Sequence, residues 1–224
     1  MFERLDLLIG KNKRENLSTK TVVVVGVGGV GGYVVESLAR SGIGHLVLID
    51  YDIIDITNKN RQLIALDSTI GHSKVEVLKA RVLDINSACR VDILSTFLTA
   101  ENISILDSYS IDYLVDACDT IATKKAIMEK CLEKDIPFIT CMGTGKRLDP
   151  SMLEITTLDK TSYDPIAKIL RKYARDNKIN QKIKVLYSRE HPQKIDSTKV
   201  ASCSFVPSSA GLLIGSYIVR EFIK

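Results

Sequence analysis

β-Branched residues fill every position of Thr21-Val22-Val23-Val24-Val25, four of them apolar, in a run that stops at Gly26. A strand without polar alternation is covered on both faces, as in a parallel sheet. The pattern then switches to a helical period over Tyr33 to Arg40, stopped by Ser41-Gly42. His45 to Ile49, apolar after its first residue, reads as a second buried strand and ends at Asp50. This is a β-α-β unit. The alternation continues with a helix from Ser73 to Ile85, strands Arg90 to Leu94 and Tyr113 to Asp116, a helix Thr123 to Lys134 and a strand Pro137 to Thr140. Strands and helices in turn predict an α/β, doubly wound, Rossmann-like and mostly parallel sheet. Beyond Gly143 the rhythm changes to a strand Met152 to Thr157, a helix Pro165 to Asp176, a strand Lys184 to Tyr187 and a terminal helix Ser209 to Phe222. We read one domain over 1–224, with 1–145 its nucleotide-binding half and 146–224 a C-terminal elaboration. The polar stretch from Ser188 to Ser202, with His191 and Lys199, has no periodicity and reads as a mobile loop.

The 224 residues are 45% apolar and 26% charged, a globular balance that excludes a disordered or collagen-like chain. The longest apolar run, Ala210 to Val219, is ten residues and is interrupted by glycines, against about 20 for a membrane span. Met1-Phe2-Glu3-Arg4-Leu5-Asp6 has acids where a signal peptide has bases, so a cytoplasmic location is expected. Five scattered cysteines without a C-x-x-C pair predict neither disulfides nor structural zinc. Net charge is only +4, but Asp164 to Lys184 carries seven bases against two acids.

Gly26-Val27-Gly28-Gly29-Val30-Gly31 lies between a strand and a helix, the context in which a dinucleotide fingerprint has meaning. Its glycines (Gly26, Gly28, Gly29, Gly31) let backbone approach phosphate at a helix N-terminus. Asp50 follows Gly31 by 19 residues, where a carboxylate can accept from ribose hydroxyls. Alone, these features indicate an adenine nucleotide and leave NAD and ATP open. The next segment, Asp50-Tyr51-Asp52 through Thr57-Asn58-Lys59-Asn60-Arg61-Gln62 to Gly71-His72-Ser73-Lys74, favours ATP. Hydride transfer has no use for Arg61 and Lys74, whereas expelling pyrophosphate requires charge neutralisation at the phosphates. Asp119, delivered by the strand Tyr113 to Asp116, could hold magnesium against phosphate oxygens.

The glycine motif, the D-x-D with T-N-x-N-R-Q, the G-x-x-K and the D-A-x-D-x-x-x-x-K run together resemble the ubiquitin-activating-like adenylyltransferases of molybdopterin and thiamine biosynthesis. That resemblance implies phosphates on Gly28 and Gly29, ribose on Asp50, and Asn58, Arg61, Gln62 and Lys74 around the triphosphate, with Asp52 in the same site and Asp119 on magnesium. It also implies a homodimer in which Arg4 reaches the partner's ATP, and it admits a cysteine desulfurase or sulfur-acceptor protein as a partner. Thr140 to Pro150, Leu158-Asp159-Lys160-Thr161 and Ser202 to Pro207 resemble one branch, the tRNA threonylcarbamoyladenosine dehydratases, which activate a carboxylate on tRNA with ATP and cyclise it.

On the helix from Pro165, Lys168, Arg171, Lys172 and Arg175 share one face, a candidate tRNA contact that Lys146 and Arg147 could extend. Cys203 reads as a packing residue and not a thioester-forming nucleophile, and Cys118 reads as core. His191 reads as a surface histidine. The rival functions are an adenylyltransferase for a ubiquitin-like sulfur carrier, and an NAD(P)-binding dehydrogenase.

Overall fold

A computed structural model describes residues 1–197 and 200–224, so Lys199 lies outside the described residues. Two short helices, α1 (Glu3–Ile9) and α2 (Lys11–Leu17), precede the sheet. They are separated by Gly10, whose φ of 88° breaks the helical path. The predicted alternation follows as β1 (Thr21–Val25), α3 (Gly31–Ser41), β2 (His45–Ile49), α4 (Lys74–Ile85), β3 (Arg90–Leu94), β4 (Tyr113–Asp116), α5 (Ile121–Glu133) and β5 (Phe138–Cys141). The remaining elements are β6 (Leu153–Thr157), α6 (Pro165–Asp176), β7 (Lys184–Ser188) and α7 (Phe205–Phe222).

The strands form one sheet in the order β3-β2-β1-β4-β5-β7-β6, parallel except where β6 runs against β7. Val22 to Val25 are all buried, as the absence of polar alternation requires. The chain winds outward from β1 through β2 to β3, then returns to lay β4 on the other side of β1. The crevice between the carboxyl ends of β1 and β4 is therefore the topological switch point, where open α/β sheets take their ligands.

The terminal helix begins at Phe205, four residues before the predicted start. Pro207 sits in its first turn, where the missing N–H has no helical acceptor to lose. The glycines that interrupt the apolar run have a packing cause. A Cβ on Gly211 would lie 2.4 Å from the Val30 carbonyl oxygen, and one on Gly215 would lie 1.9 Å from Ser37 Oγ. These are the contacts by which α7 lies close on α3. Among the described residues no helix is long and apolar enough to cross a membrane.

Among its described residues the segment after β7 has neither helix nor strand before α7. It is nonetheless tethered. Lys146 N–H donates to the Ala201 carbonyl (2.8 Å), Gln193 N–H donates to that of Lys146 (2.8 Å), and the Glu190 carboxylate accepts from the N–H groups of Leu148 and Asp149.

Candidate active site

A cleft of about 300 Å³ opens at the switch point. Its floor is the glycine turn. Gly26 adopts φ +82° and lies so close to the β4 exit that a Cβ would stand 2.8 Å from Cys118 N. Gly28 and Gly29 face the cleft with Val30. Gly31, expected to bind cofactor, does not line it: a Cβ there would lie 1.8 Å from the Gly26 carbonyl oxygen, so this glycine packs the turn against α3.

Asp50 ends β2 beside the turn. One carboxylate oxygen accepts from Val27 N–H (2.8 Å) and the other from Asp52 N–H (2.9 Å), so the residue that faces the cleft also shapes its wall. Asp52 acts through a partner. Its Oδ2 lies 2.6 Å from Lys74 Nζ, and this ion pair holds the buried lysine at the cleft, 5% exposed. Arg61 is half-buried; its Nη1 donates to the Thr57 carbonyl and to Asn60 Oδ1 (3.0 Å each), while Nε and Nη2 have no protein partner among the described residues. A guanidinium anchored by one nitrogen is placed in advance and keeps donors for a phosphate. Asn58 is buried at 8% and caps its own turn by accepting from Asp55 N–H (3.1 Å). Gln62 lines the cleft with its Oε1 buried and unpartnered.

Asp119 is exposed on the opposite wall. The charge of Asp52, then partial desolvation, then Asp119 and Asp50 hold the Tyr51 phenol above its usual range. Three carboxylates thus face this phenol at the cleft, which the cations Arg61 and Lys74 also line. No group of three or more His, Cys, Asp or Glu side chains suited to a metal occurs among the described residues. A single carboxylate fits magnesium that arrives with its nucleotide, since this ion usually takes one or two protein carboxylates together with phosphates and waters.

Behind the wall lies a cluster that the sequence reading did not single out. Lys124 and Asp116 are both fully buried, with Nζ and Oδ2 3.1 Å apart, and the ammonium also donates to Thr140 Oγ1 (3.3 Å) and the Cys141 carbonyl (2.7 Å). Burial opposes the charge on Lys124, but the Asp116 carboxylate outweighs it and holds the ammonium above its usual range. The signal was the lysine closing the D-A-x-D-x-x-x-x-K run. Tyr51 and Phe97, edge to face with centroids 4.9 Å apart, also line the cleft, as do Thr144 and Ser202. Asn60 Nδ2 donates to the Ser202 carbonyl (3.0 Å), which ties the Arg61 turn to the C-terminal segment.

Cys118, Arg147 and Arg171 differ from expectation. Cys118 is not simply core: it lines the cleft, with its thiol 3.0 Å from Asp116 Oδ1 and pushed up first by burial and then by that carboxylate. Arg147 does not extend a surface patch. It is 3% exposed, donates from Nη2 to the Tyr163 carbonyl (3.2 Å) and lies 3.9 Å from Asp164. Arg171 turns back to donate to the Thr161 carbonyl (2.9 Å) and hydroxyl, leaving Lys168, Lys172 and Arg175 as the exposed part of the α6 stripe. His191 is exposed, as expected of a surface histidine, and stacks on Tyr163 with ring centroids 3.6 Å apart.

Arg4 lies exposed on α1 and does not line this chain's own cleft. Cys203 is half-buried against the core, its sulfur 3.5 Å from the Arg147 carbonyl, and does not line the cleft. Cys203→Ala is therefore expected to retain most ATP-dependent turnover; a covalent, thiol-sensitive adduct between this cysteine and a substrate would contradict a packing role.

A glycine turn, an acid at the end of β2 and two cations converging on one switch-point cleft define a nucleotide-activating α/β protein, and the chain belongs to the ThiF family, which it matches over residues 3–224. Over its whole length it is 43% identical to tRNA threonylcarbamoyladenosine dehydratase of Bacillus subtilis (strain 168), covering 94% of that protein. The crystal structure of Escherichia coli tRNA N6-threonylcarbamoyladenosine dehydratase in complex with ATP matches with a TM-score of 0.93 and 31% identity, over 99% of this chain and 93% of that one. A more distant relative, the adenylyltransferase and sulfurtransferase MOCS3 of Culex quinquefasciatus, is 35% identical over 63% of this chain and 32% of its own length.

Proposed function

We propose that this chain is an ATP-dependent enzyme that adenylates the carboxylate of threonylcarbamoyladenosine in tRNA and cyclises it, releasing AMP and pyrophosphate. The observation that carries the reading is the set formed by Arg61, Lys74 and Asp119 around the Gly28-Gly29 turn. A free carboxylate is a poor electrophile. Its oxygen attacks the α-phosphorus, the bond to the β-phosphate breaks, and pyrophosphate leaves with the charge that Lys74 and the free donors of Arg61 are placed to stabilise. The carbamoyl group of the same nucleoside then attacks the activated carbonyl carbon, and AMP departs carrying the original carboxylate oxygen. The nucleophile is already tethered, so no enzyme thiol is needed.

Asp119 is the residue that would hold magnesium, which when bound would supply charge neutralisation at the leaving group. What this chain does for it is present the exposed Asp119 carboxylate at the cleft. Incubating purified enzyme with ATP and tRNA and digesting the product for nucleoside mass spectrometry tests the reading: threonylcarbamoyladenosine should lose one water. Unchanged tRNA, with consumption of ATP on adding a ubiquitin-like sulfur carrier, would favour the rival adenylyltransferase.

The functional unit is a homodimer in the cytoplasm. Leu7 and Leu8 on α1 are 84% and 81% exposed, on the helix that carries Arg4. Adjacent exposed leucines mark a surface that another chain covers, and a second copy seated there would bring Arg4 toward the neighbouring ATP. A monomer by sedimentation that turns over ATP with tRNA would contradict this.

The α6 stripe is the tRNA-contacting surface. Each cation on a phosphate releases counterions, so replacing Lys168 and Lys172 by glutamine should flatten the plot of log affinity against log salt by about 0.7 to 0.9 per contact removed. Affinity for ATP should not change, because neither residue lines the cleft. An unchanged salt slope would return the stripe to an ordinary solvated helix face.

A further inference from the structure

We propose that Tyr163 and His191 form a stacking platform for an unpaired base of the RNA substrate, beside the nucleotide cleft. Tyr163 is 56% exposed, and its ring packs on the exposed His191 imidazole at 3.6 Å between centroids and 36° between planes. Its backbone sits at φ +55°, a region that an aromatic residue rarely adopts. Three hydrogen bonds hold it there. The buried Arg147 guanidinium donates to the Tyr163 carbonyl (3.2 Å), and the next residue, Asp164, is anchored by accepting from Ala167 N–H (2.9 Å) and Gly143 N–H (3.1 Å).

The surroundings fit nucleic acid. The segment running from Gly143 to Arg147 separates the platform from the cleft: Thr144 lines the cleft, whereas Lys146 lines a shallow groove with Pro165, Pro192 and Lys194. Lys146 and Lys194 stand where phosphates flanking a stacked base could reach them, with Asp196 the one acid among the described residues of the groove lining. Lys168, one turn into α6, leads on to the basic stripe. Aromatic faces of this kind accept bases splayed out of single-stranded loops and contribute without reading a Watson–Crick edge. The inference rests on the proposed action on tRNA and adds where a neighbouring unpaired base sits while the modified nucleoside enters the cleft.

The test is binding of an anticodon stem-loop RNA with 2-aminopurine in its loop, beside an unlooped duplex of equal length. Tyr163→Ala should weaken stem-loop binding by about 5- to 100-fold, the range for one base stacked on one aromatic ring. It should also abolish the 2-aminopurine fluorescence change and leave the salt slope as in the wild type. Tyr163→Phe keeps the ring and should restore both affinity and fluorescence change; His191→Ala should act in the same direction as Tyr163→Ala. Stem-loop binding by Tyr163→Ala that equals the wild type overturns the platform and leaves the enzymatic reading standing. A wild-type protein that binds neither RNA overturns both.

Discussion

Arg61→Ala and Lys74→Ala should each lower ATP-dependent turnover by a factor on the order of 100 or more, the size of effect seen when one preorganised charge partner is removed from a transition state. The loss should appear mainly in kcat, because charge builds on the departing phosphates only as the bond to the α-phosphate breaks. Folding should be spared in both. Arg61 keeps much of its guanidinium free of protein partners, and the carboxylate that Lys74 leaves behind, Asp52, has a side chain 43% exposed and can rehydrate. Near wild-type turnover in either variant would remove the ATP-site assignment. The same variants probe the dimer. If Arg4 completes the partner's site, mixing Arg61→Ala with Arg4→Ala subunits should restore turnover that neither has alone; a mixture no more active than its parts would leave Arg4 outside the site.

How far the chain could be read in advance follows from the range of the forces involved. β1, α3, β2 and the position of Asp50 are local matters: strand period, helix period and a glycine stop lie within about thirty residues of each other, and every element from α3 through β7 ends within two residues of its predicted place. The roles within the motif were less legible. Gly26 and Gly31 belong to the same fingerprint as Gly28 and Gly29, yet a hypothetical Cβ at Gly31 meets the Gly26 backbone and not the cleft. That distinction depends on the approach of α3 to the turn, which no spacing encodes. Arg171 is similar. Its place on the α6 face was correct, but a pair of acceptors at Thr161, ten residues earlier, draws its guanidinium away from solvent. Thr144 and Ser202 were invisible as cleft residues because segments far apart in sequence are joined there by single hydrogen bonds, Lys146 to Ala201 and Asn60 to Ser202. The Asp116–Lys124 pair was hidden for another reason: a buried charge and a surface charge look alike in a sequence, and only the sheet closing over them tells the two apart.

That pair yields the largest expected effect on stability. Lys124→Met removes the ammonium and leaves the Asp116 carboxylate fully buried, supported only by the Thr140 hydroxyl and by the amide and thiol of Cys118. Breaking a buried pair from one side costs about 3 to 5 kcal/mol, because an uncompensated charge remains in a medium that solvates it poorly. Replacing both partners by apolar residues avoids that penalty, so Asp116→Leu combined with Lys124→Met should recover at least half of the loss. Recovery should stay incomplete, since the Cys141 carbonyl, 2.7 Å from the ammonium, also loses its donor. The pH dependence separates a stranded charge from a simple packing defect. A carboxylate that gains a proton more readily folded than unfolded costs most at high pH and least at low pH, so the deficit of Lys124→Met relative to wild type should shrink as pH falls from about 8 to about 5. In the double variant, which has no carboxylate at this place, the deficit should not depend on pH. Urea midpoints at equal m values measure both. A single variant as stable as wild type, or a deficit unaffected by pH, would mean that the fold does not depend on this ion pair to join β4, α5 and the exit of β5 behind the cleft.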